Sequence, residues 1–174
     1  GRLLGHVFRI DKDDGDKITM PATWCSWPDG TYGWAMRWFS KPRPIFGIER
    51  LSQYPESPVL IVEGEKAATA AQQRWPNGEL IATTSPCGSN SVRTAAWSPL
   101  RGRRCIIWPD NDSAGKHYAL DVAEELESIG AEQIAIVDLD QLTELLGIER
   151  LPKGFDAADI PEAVSSESLY DLIM

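Results

Sequence analysis

After Pro58 the chain alternates short apolar, β-branched runs with helical patterns, and this rhythm restricts the possible fold more than any other feature. Residues 59–62 form the first apolar run, followed by Gly64 and an Ala-rich segment over 66–75 that stops at Pro76. Residues 80–84 read as a second strand, leading through the loop Ser-Pro-Cys-Gly-Ser-Asn at 85–90 into a short helix near 91–97. A third strand spans 105–108. The clearest helix follows over 114–129, with Tyr118, Val122, Leu126 and Ile129 on one face and Gly130 as its stop. A fourth strand spans 134–137. Such runs, separated by helices, predict an α/β fold: a parallel sheet of about four strands flanked by helices. Ligands of such sheets sit beyond the carboxyl ends of the strands.

The first 57 residues follow a different pattern. Residues 6–10 and 17–23 read as strands flanking the polar turn 11–16. Trp-Pro-Asp-Gly at 27–30 is a tight-turn signal ahead of the alternating Tyr32, Trp34, Met36 and Trp38. Lys-Pro-Arg-Pro at 41–44 and Gln-Tyr-Pro-Glu-Ser-Pro at 53–58 read as linker. The expected division is a small β-rich module with its linker over 1–57 and an α/β domain over 58–174. Trp24, Trp27, Trp34 and Trp38 read as the core of that small sheet. Their proximity in sequence to Arg37, Lys41 and Arg43 leaves open a platform on which single-stranded bases stack.

Charge is divided as unevenly as structure. Of a net −9, residues 1–58 contribute eight Lys/Arg against seven Asp/Glu, and residues 59–174 contribute nine against nineteen. The second stretch cannot grip a phosphate backbone by bulk attraction, so cations or neighbouring basic domains would have to supply positive charge. Cys25, Cys87 and Cys105 are widely spaced with no CxxC pair, and with only His6 and His117 beside them neither a zinc site nor a disulfide framework is expected. No apolar run approaches the roughly 18 residues of a membrane span and no signal peptide opens the chain, so a cytoplasmic, membrane-free protein is expected. Beginning at Gly1 rather than Met, the chain is expected to be an excised piece of a longer protein or to carry the scar of a tag.

Acidic residues collect where the strands end. The first strand runs into Glu63-Gly64-Glu65-Lys66, the third into Asp110-Asn111-Asp112, and Asp156 and Asp159 follow the fourth. In a parallel sheet the first two clusters share one edge. Two carboxylates about 4 Å apart repel by roughly 1 kcal/mol in water and about 4 kcal/mol at a protein surface, a cost that a divalent cation reverses. Oxygen donors without a soft ligand favour Mg²⁺, or Mn²⁺, over zinc. Taken singly, Glu63 or Asp110 also suits a helix cap or a solvated loop charge, and Asp156, Asp159, Asp138 and Asp140 read as loop or capping residues. The ordered combination sets the three sites apart.

That combination resembles the Toprim domain, the metal-binding fold of bacterial-type primases, topoisomerases and some nucleases. The residues that carry the resemblance are Val-Leu-Ile-Val-Glu-Gly at 59–64 and Ile-Ile-Trp-Pro-Asp-Asn-Asp-Ser-Ala-Gly at 106–115. Val-Glu-Gly-Glu-Lys-Ala at 62–67, the approach Pro-Ile-Phe-Gly-Ile-Glu-Arg-Leu at 44–51 and Lys-Gly-Phe-Asp-Ala-Ala-Asp at 153–159 look most like primase modules of phage, plasmid and integrated-element replication proteins. The resemblance covers about residues 44–160. It implies that Glu63, Asp110 and Asp112 are the catalytic acids, and that these three with Asp156 hold Mg²⁺. It also implies a DNA primase whose substrates are a single-stranded DNA template and nucleoside triphosphates, with a helicase as neighbour. A Toprim nuclease, or a degenerate Toprim that only binds or docks, are the alternatives. Many bacterial primases place an aspartate four residues after the glutamate, where this chain has Ala67, with Glu65 nearby to compensate.

Gly88 and Ser89 lie in a small-residue loop that reads either as a simple turn or as a phosphate nest, and Gly64, Lys66 and Lys116 are further phosphate candidates beside the acidic edge. Arg101, Arg103 and Arg104 precede the third strand, opposite the proposed metal edge, and read as a solvated face rather than a nucleic-acid patch.

Overall fold

A computed structural model describes residues 3–13, 15 and 17–174. The described chain separates into two compact units, Gly1–Arg43 and Pro44–Met174.

In the first unit, β1 (Gly5–Asp11), β2 (Lys17–Ser26) and β3 (Tyr32–Ala35) form an antiparallel sheet in that order. The polar turn expected over 11–16 includes Asp14 and Asp16, which lie outside the described residues. The second turn forms as its Trp-Pro-Asp-Gly signal predicts. The Gly30 N–H donates to the Trp27 carbonyl at 2.9 Å, and the Asp29 carboxylate accepts from both the N–H and the hydroxyl of Thr31. The expectation that the tryptophans form this sheet's core is not met. Trp24 and Trp34 are 39% and 47% exposed, because a single three-stranded layer has two faces and the unit's own chain closes only one of them; Trp27, on the other side, is 39% exposed, and Trp38 is half-buried.

In the second unit, β4 (Val59–Val62), β5 (Ile81–Thr83), β6 (Arg104–Trp108) and β7 (Gln133–Ile136) pair in parallel, in the order β5-β4-β6-β7. Every residue of β4 is buried, as an interior strand covered on both faces must be. Alternate side chains enter two separate cores. Leu60, Val62, Ile106 and Trp108 pack against α2 (Glu65–Arg74), α4 (Leu139–Leu146) and α5 (Ser166–Ile173). Val59, Ile61, Cys105 and Ile107 pack against α1 (Ile48–Gln53), the 3₁₀ segments Gly88–Thr94 and Ser98–Leu100, and α3 (Ser113–Ile129). Gly130 ends α3 in the left-handed region, its N–H and that of Ala131 returning to the Glu127 and Leu126 carbonyls. No helix among the described residues is long and apolar enough to cross a membrane.

The segment 44–57, read in the sequence as approach and linker, packs inside this second unit. Ile45 and Leu51 are buried, and Phe46 exchanges bonds with Thr83 and Thr84 beside β5. Arg103 explains why α1 stays in place. Its guanidinium donates to the carbonyls of Leu51, Tyr54 and Ser57 at 3.0, 2.6 and 2.7 Å, satisfying the C-terminal end of α1. Arg103 is therefore a buried structural residue, which corrects its reading as part of a solvated face. Arg101 and Arg104 are exposed. Arg74, at the end of α2, plays a similar part for the C-terminal segment, donating to the carbonyls of Ile160, Pro161 and Val164.

Candidate functional site

The site is built where the two central strands stop. β4 and β6 lie side by side with Val62 opposite Trp108, so the residues that follow each strand emerge at the same edge. Glu63 comes directly after Val62, and Gly64, in extended conformation, caps the start of α2. Glu63 is half-buried, and its Oε2 is buried with no hydrogen-bond partner. Burial raises the Glu63 pKa, a hydrogen bond from the Ser89 side chain opposes the rise, and the charges of Asp112 and Asp156 add to it.

After Trp108 the strand does not continue. The Asp112 N–H turns back onto the Asp110 carbonyl at 2.7 Å, and Asp112 becomes the N-cap of α3, its Oδ1 accepting from the Gly115 N–H at 2.9 Å. Gly115 is required by close approach. A Cβ there would collide with the carbonyl oxygen of Asp110 and come within 2.7 Å of its nitrogen. Asp110 is thus held between the strand end and the first turn of α3. Its carboxyl is pushed up to about 7, by burial first and then by Glu63, Asp156, Asp112 and Asp159. The charges of Glu63, Asp110, Asp112 and Asp156 thus act on one another at this edge.

Asn111, a residue without an expected role, explains how the third acidic stretch reaches that edge. Its side-chain amide donates to the carbonyls of Leu151 and Pro152, both at 2.9 Å. Its backbone bonds Phe155 and Gly154 at 3.0 and 3.1 Å. The loop that carries Asp156 is thereby fastened to the loop that carries Asp110 and Asp112. Asp156 and Asp159 form a self-capped turn: the Asp156 Oδ1 accepts from the Ala158 N–H at 2.6 Å and the Asp159 Oδ2 from the Asp156 N–H at 3.0 Å.

The 85–90 loop packs directly over Glu63. A Cβ on Gly88, whose φ is +63°, would lie 3.1 Å from the Glu63 carbonyl oxygen. The Cys87 N–H donates to the Glu65 carboxylate at 3.3 Å and the Gly88 N–H to the Ser85 carbonyl at 3.2 Å, so these two amides already have acceptors within the protein. Underneath, the buried Tyr118 hydroxyl donates to the Val62 carbonyl at 2.8 Å, fixing the last residue before Glu63. The helical period of α3 shows that Tyr118 faces the core. Its partner lies 56 residues away and has no local signal. Lys66 and Lys116 are exposed at the starts of α2 and α3, on either side of the acidic edge.

The donor chemistry fits a hard divalent cation. All the acids offer oxygen, Glu63 keeps a buried oxygen unpaired, and Asp110 is raised by burial and then by neighbours of its own sign. Among the described residues no three acidic, cysteine or histidine side chains converge closely enough to hold an ion as they stand. Cation binding would have to draw the carboxylates together.

Comparison with known proteins bears on this geometry. A family model described as a domain of unknown function (DUF6371) matches residues 4–111, a span that includes Glu63 and Asp110. No curated protein sequence matches the chain. Among solved structures, a crystal structure of a DNA primase domain from Pseudomonas aeruginosa superposes with a TM-score of 0.53 at 16% identity, over 96% of this chain and 49% of that one. The structure of a DnaG primase catalytic domain bound to single-stranded DNA superposes with a TM-score of 0.50 at 16% identity, over 95% of this chain and 56% of that one. The likeness is one of fold: an α/β, primase-like arrangement with a small antiparallel sheet before the parallel one. The chain spans about half the length of these primase structures.

Proposed function

We propose that this chain, which belongs to the DUF6371 family, is the Toprim module of a primase-type nucleotidyltransferase working in mobile-element replication. The observation that carries the reading is the placement of Glu63 and of Asp110 and Asp112 just after two neighbouring parallel strands, near enough for their charges to act on one another. The primase-like fold supports it.

Under this reading Asp110, Asp112 and Asp156 hold Mg²⁺, with Glu63 either joining them or taking the proton of the attacking 3′-hydroxyl. Bound there, the ion supplies charge neutralisation on the phosphate oxygens of the incoming nucleotide and activation of the attacking oxygen. Glu63 is suited to proton transfer because burial raises its pKa towards the working pH. Asp110 must give up its proton before it serves as a ligand, so assembly of the site is favoured above about pH 7. Lys66 and Lys116 stand where they would meet phosphate. Single-stranded DNA and nucleoside triphosphates are the proposed substrates of the whole protein, with a helicase as neighbour.

A second reading, a Toprim fold that binds or docks without catalysis, is favoured by one observation: Asp112 already uses an oxygen to cap α3. Incubating the full-length parent protein with single-stranded template, labelled nucleotides and Mg²⁺ separates these readings. Primer synthesis that falls at least about a hundredfold in Asp110→Ala and Asp112→Ala, a loss of about 2.7 kcal/mol in transition-state stabilisation, supports the primase. Template cutting in the same assay would identify a nuclease. Activity unchanged in both variants would sink the catalytic reading.

A further inference from the structure

The β1–β3 sheet has one covered and one uncovered face, and the two differ in kind. On the covered face the Trp27 ring lies 3.3 Å from where a Cβ on Gly33 would sit, and the Phe39 ring closes over Gly5. The Thr23 hydroxyl on that side donates to the Arg37 carbonyl at 3.2 Å. The register puts His6, Phe8, Trp24, Tyr32 and Trp34 on the other face, with Trp24 directly opposite Trp34. Phe8 is 47% exposed and Tyr32 65%. The rings touch one another by edges and tilts: Trp24 meets Trp34 at 78° with centroids 5.6 Å apart, and His6 meets Trp34 at 40° and the same separation. None of these contacts is a parallel stack.

Charge indicates what would lie on such a surface. Residues 1–43 carry seven lysines and arginines against five aspartates, whereas residues 44–174 carry ten against twenty-one. Exposed Arg37 and Lys41 follow β3 in the chain, and the Arg43 guanidinium sits 5.0 Å from the Trp38 ring centroid. Stackable rings and an excess of positive charge therefore coincide in the first unit, and the second unit repels a polyanion. Aromatic side chains on a unit of net positive charge are what single strands use, since every base offers a π-face.

We infer that the uncovered aromatic face of the β1–β3 sheet is a stacking platform for single-stranded nucleic acid, with Trp34 and Tyr32 as its central rings. The inference rests on the reading of the chain as part of a nucleic-acid enzyme, and it names where the strand is held.

The test uses the full 174-residue chain and a fluorescent oligothymidylate, without divalent metal, so that the acidic edge plays no part. Fluorescence anisotropy should report binding that weakens with salt. Trp34→Ala and Tyr32→Ala should each reduce affinity roughly five- to 150-fold, the range for loss of one base–aromatic stack. Trp34→Phe, which keeps a ring, should recover most of the loss and controls for folding. Arg37→Ala should instead flatten the salt dependence, with the slope falling by about one. An Asp110→Asn variant that loses metal-dependent chemistry yet binds oligonucleotide as before would leave the platform standing while the catalytic reading is judged separately. Absence of oligonucleotide binding, or binding indifferent to Trp34→Ala and Tyr32→Ala, overturns the platform. So does a self-associated chain that Trp34→Ala makes monomeric in sedimentation and that ignores the oligonucleotide, since the occupant would then be a second copy.

Discussion

Asp110 keeps its proton to about pH 7 because it is half-buried among four other carboxyl groups. The unfolded chain releases the same proton near the ordinary aspartate value of about 3.9. Between those two values the folded state binds more protons than the unfolded state, so this residue makes stability fall as pH rises, with no further loss above about 7. Thermal melts of the metal-free chain across that window should show a declining midpoint, and Asp110→Asn, neutral throughout, should flatten the decline. Asn111 makes a second, independent prediction. Asn111→Ala removes two donors and leaves the Leu151 and Pro152 carbonyls without them, at a cost of about 1–3 kcal/mol in urea denaturation. Asn111→Asp should cost at least as much, because its carboxylate would face two carbonyl oxygens with nothing to donate. The positions of Glu63 and Asp110 were legible in the sequence because each comes at the end of an apolar run. The role of Asn111 was not, since its acceptors lie 40 residues away in a loop with no periodicity.

Among the elements, α1 depends on a residue outside it. Arg103→Ala should lower stability by roughly 1.5–3 kcal/mol, the scale of a hydrogen bond to a charged group, and should raise hydrogen exchange in 48–54 before the rest of the second unit opens. Arg103→Lys should rescue little, because an ammonium cannot span three carbonyls with a planar fork. In the sequence Arg103 is hidden between Arg101 and Arg104, and a run of like charges gives no sign that the middle one turns inward. The parallel strands and α3 were readable because their apolar periods are long or continuous. α4 and α5 are only eight residues each and were not anticipated, although Asp138 and Ser165 cap them. The exposure of Trp24 and Trp34 is not legible for a related reason: alternation along a strand reports which residues share a face and says nothing about whether a second layer covers it.

For the whole molecule, charge is the leading variable. The second unit repels itself, so about 0.1 M salt, which shortens the screening length to roughly 10 Å, should raise the melting temperature of the metal-free chain. Mg²⁺ at the same ionic strength should raise it further, by about 2.7 kcal/mol of stabilisation at a hundredfold excess over its dissociation constant, and the Asp110→Asn, Asp112→Asn double variant should lose this extra gain. The alternation of β6 between two unlike cores has a separate consequence. Ile106 and Trp108 belong to one layer, Cys105 and Ile107 to the other, and the bulk of an indole cannot be exchanged for that of a thiol across the sheet. Phase is therefore locked beneath the chemistry. One residue added within the strand would put every side chain on the wrong side and rotate Asp110 away from Glu63, so the aim of the acids is inherited from hydrophobic neighbours that never touch a substrate.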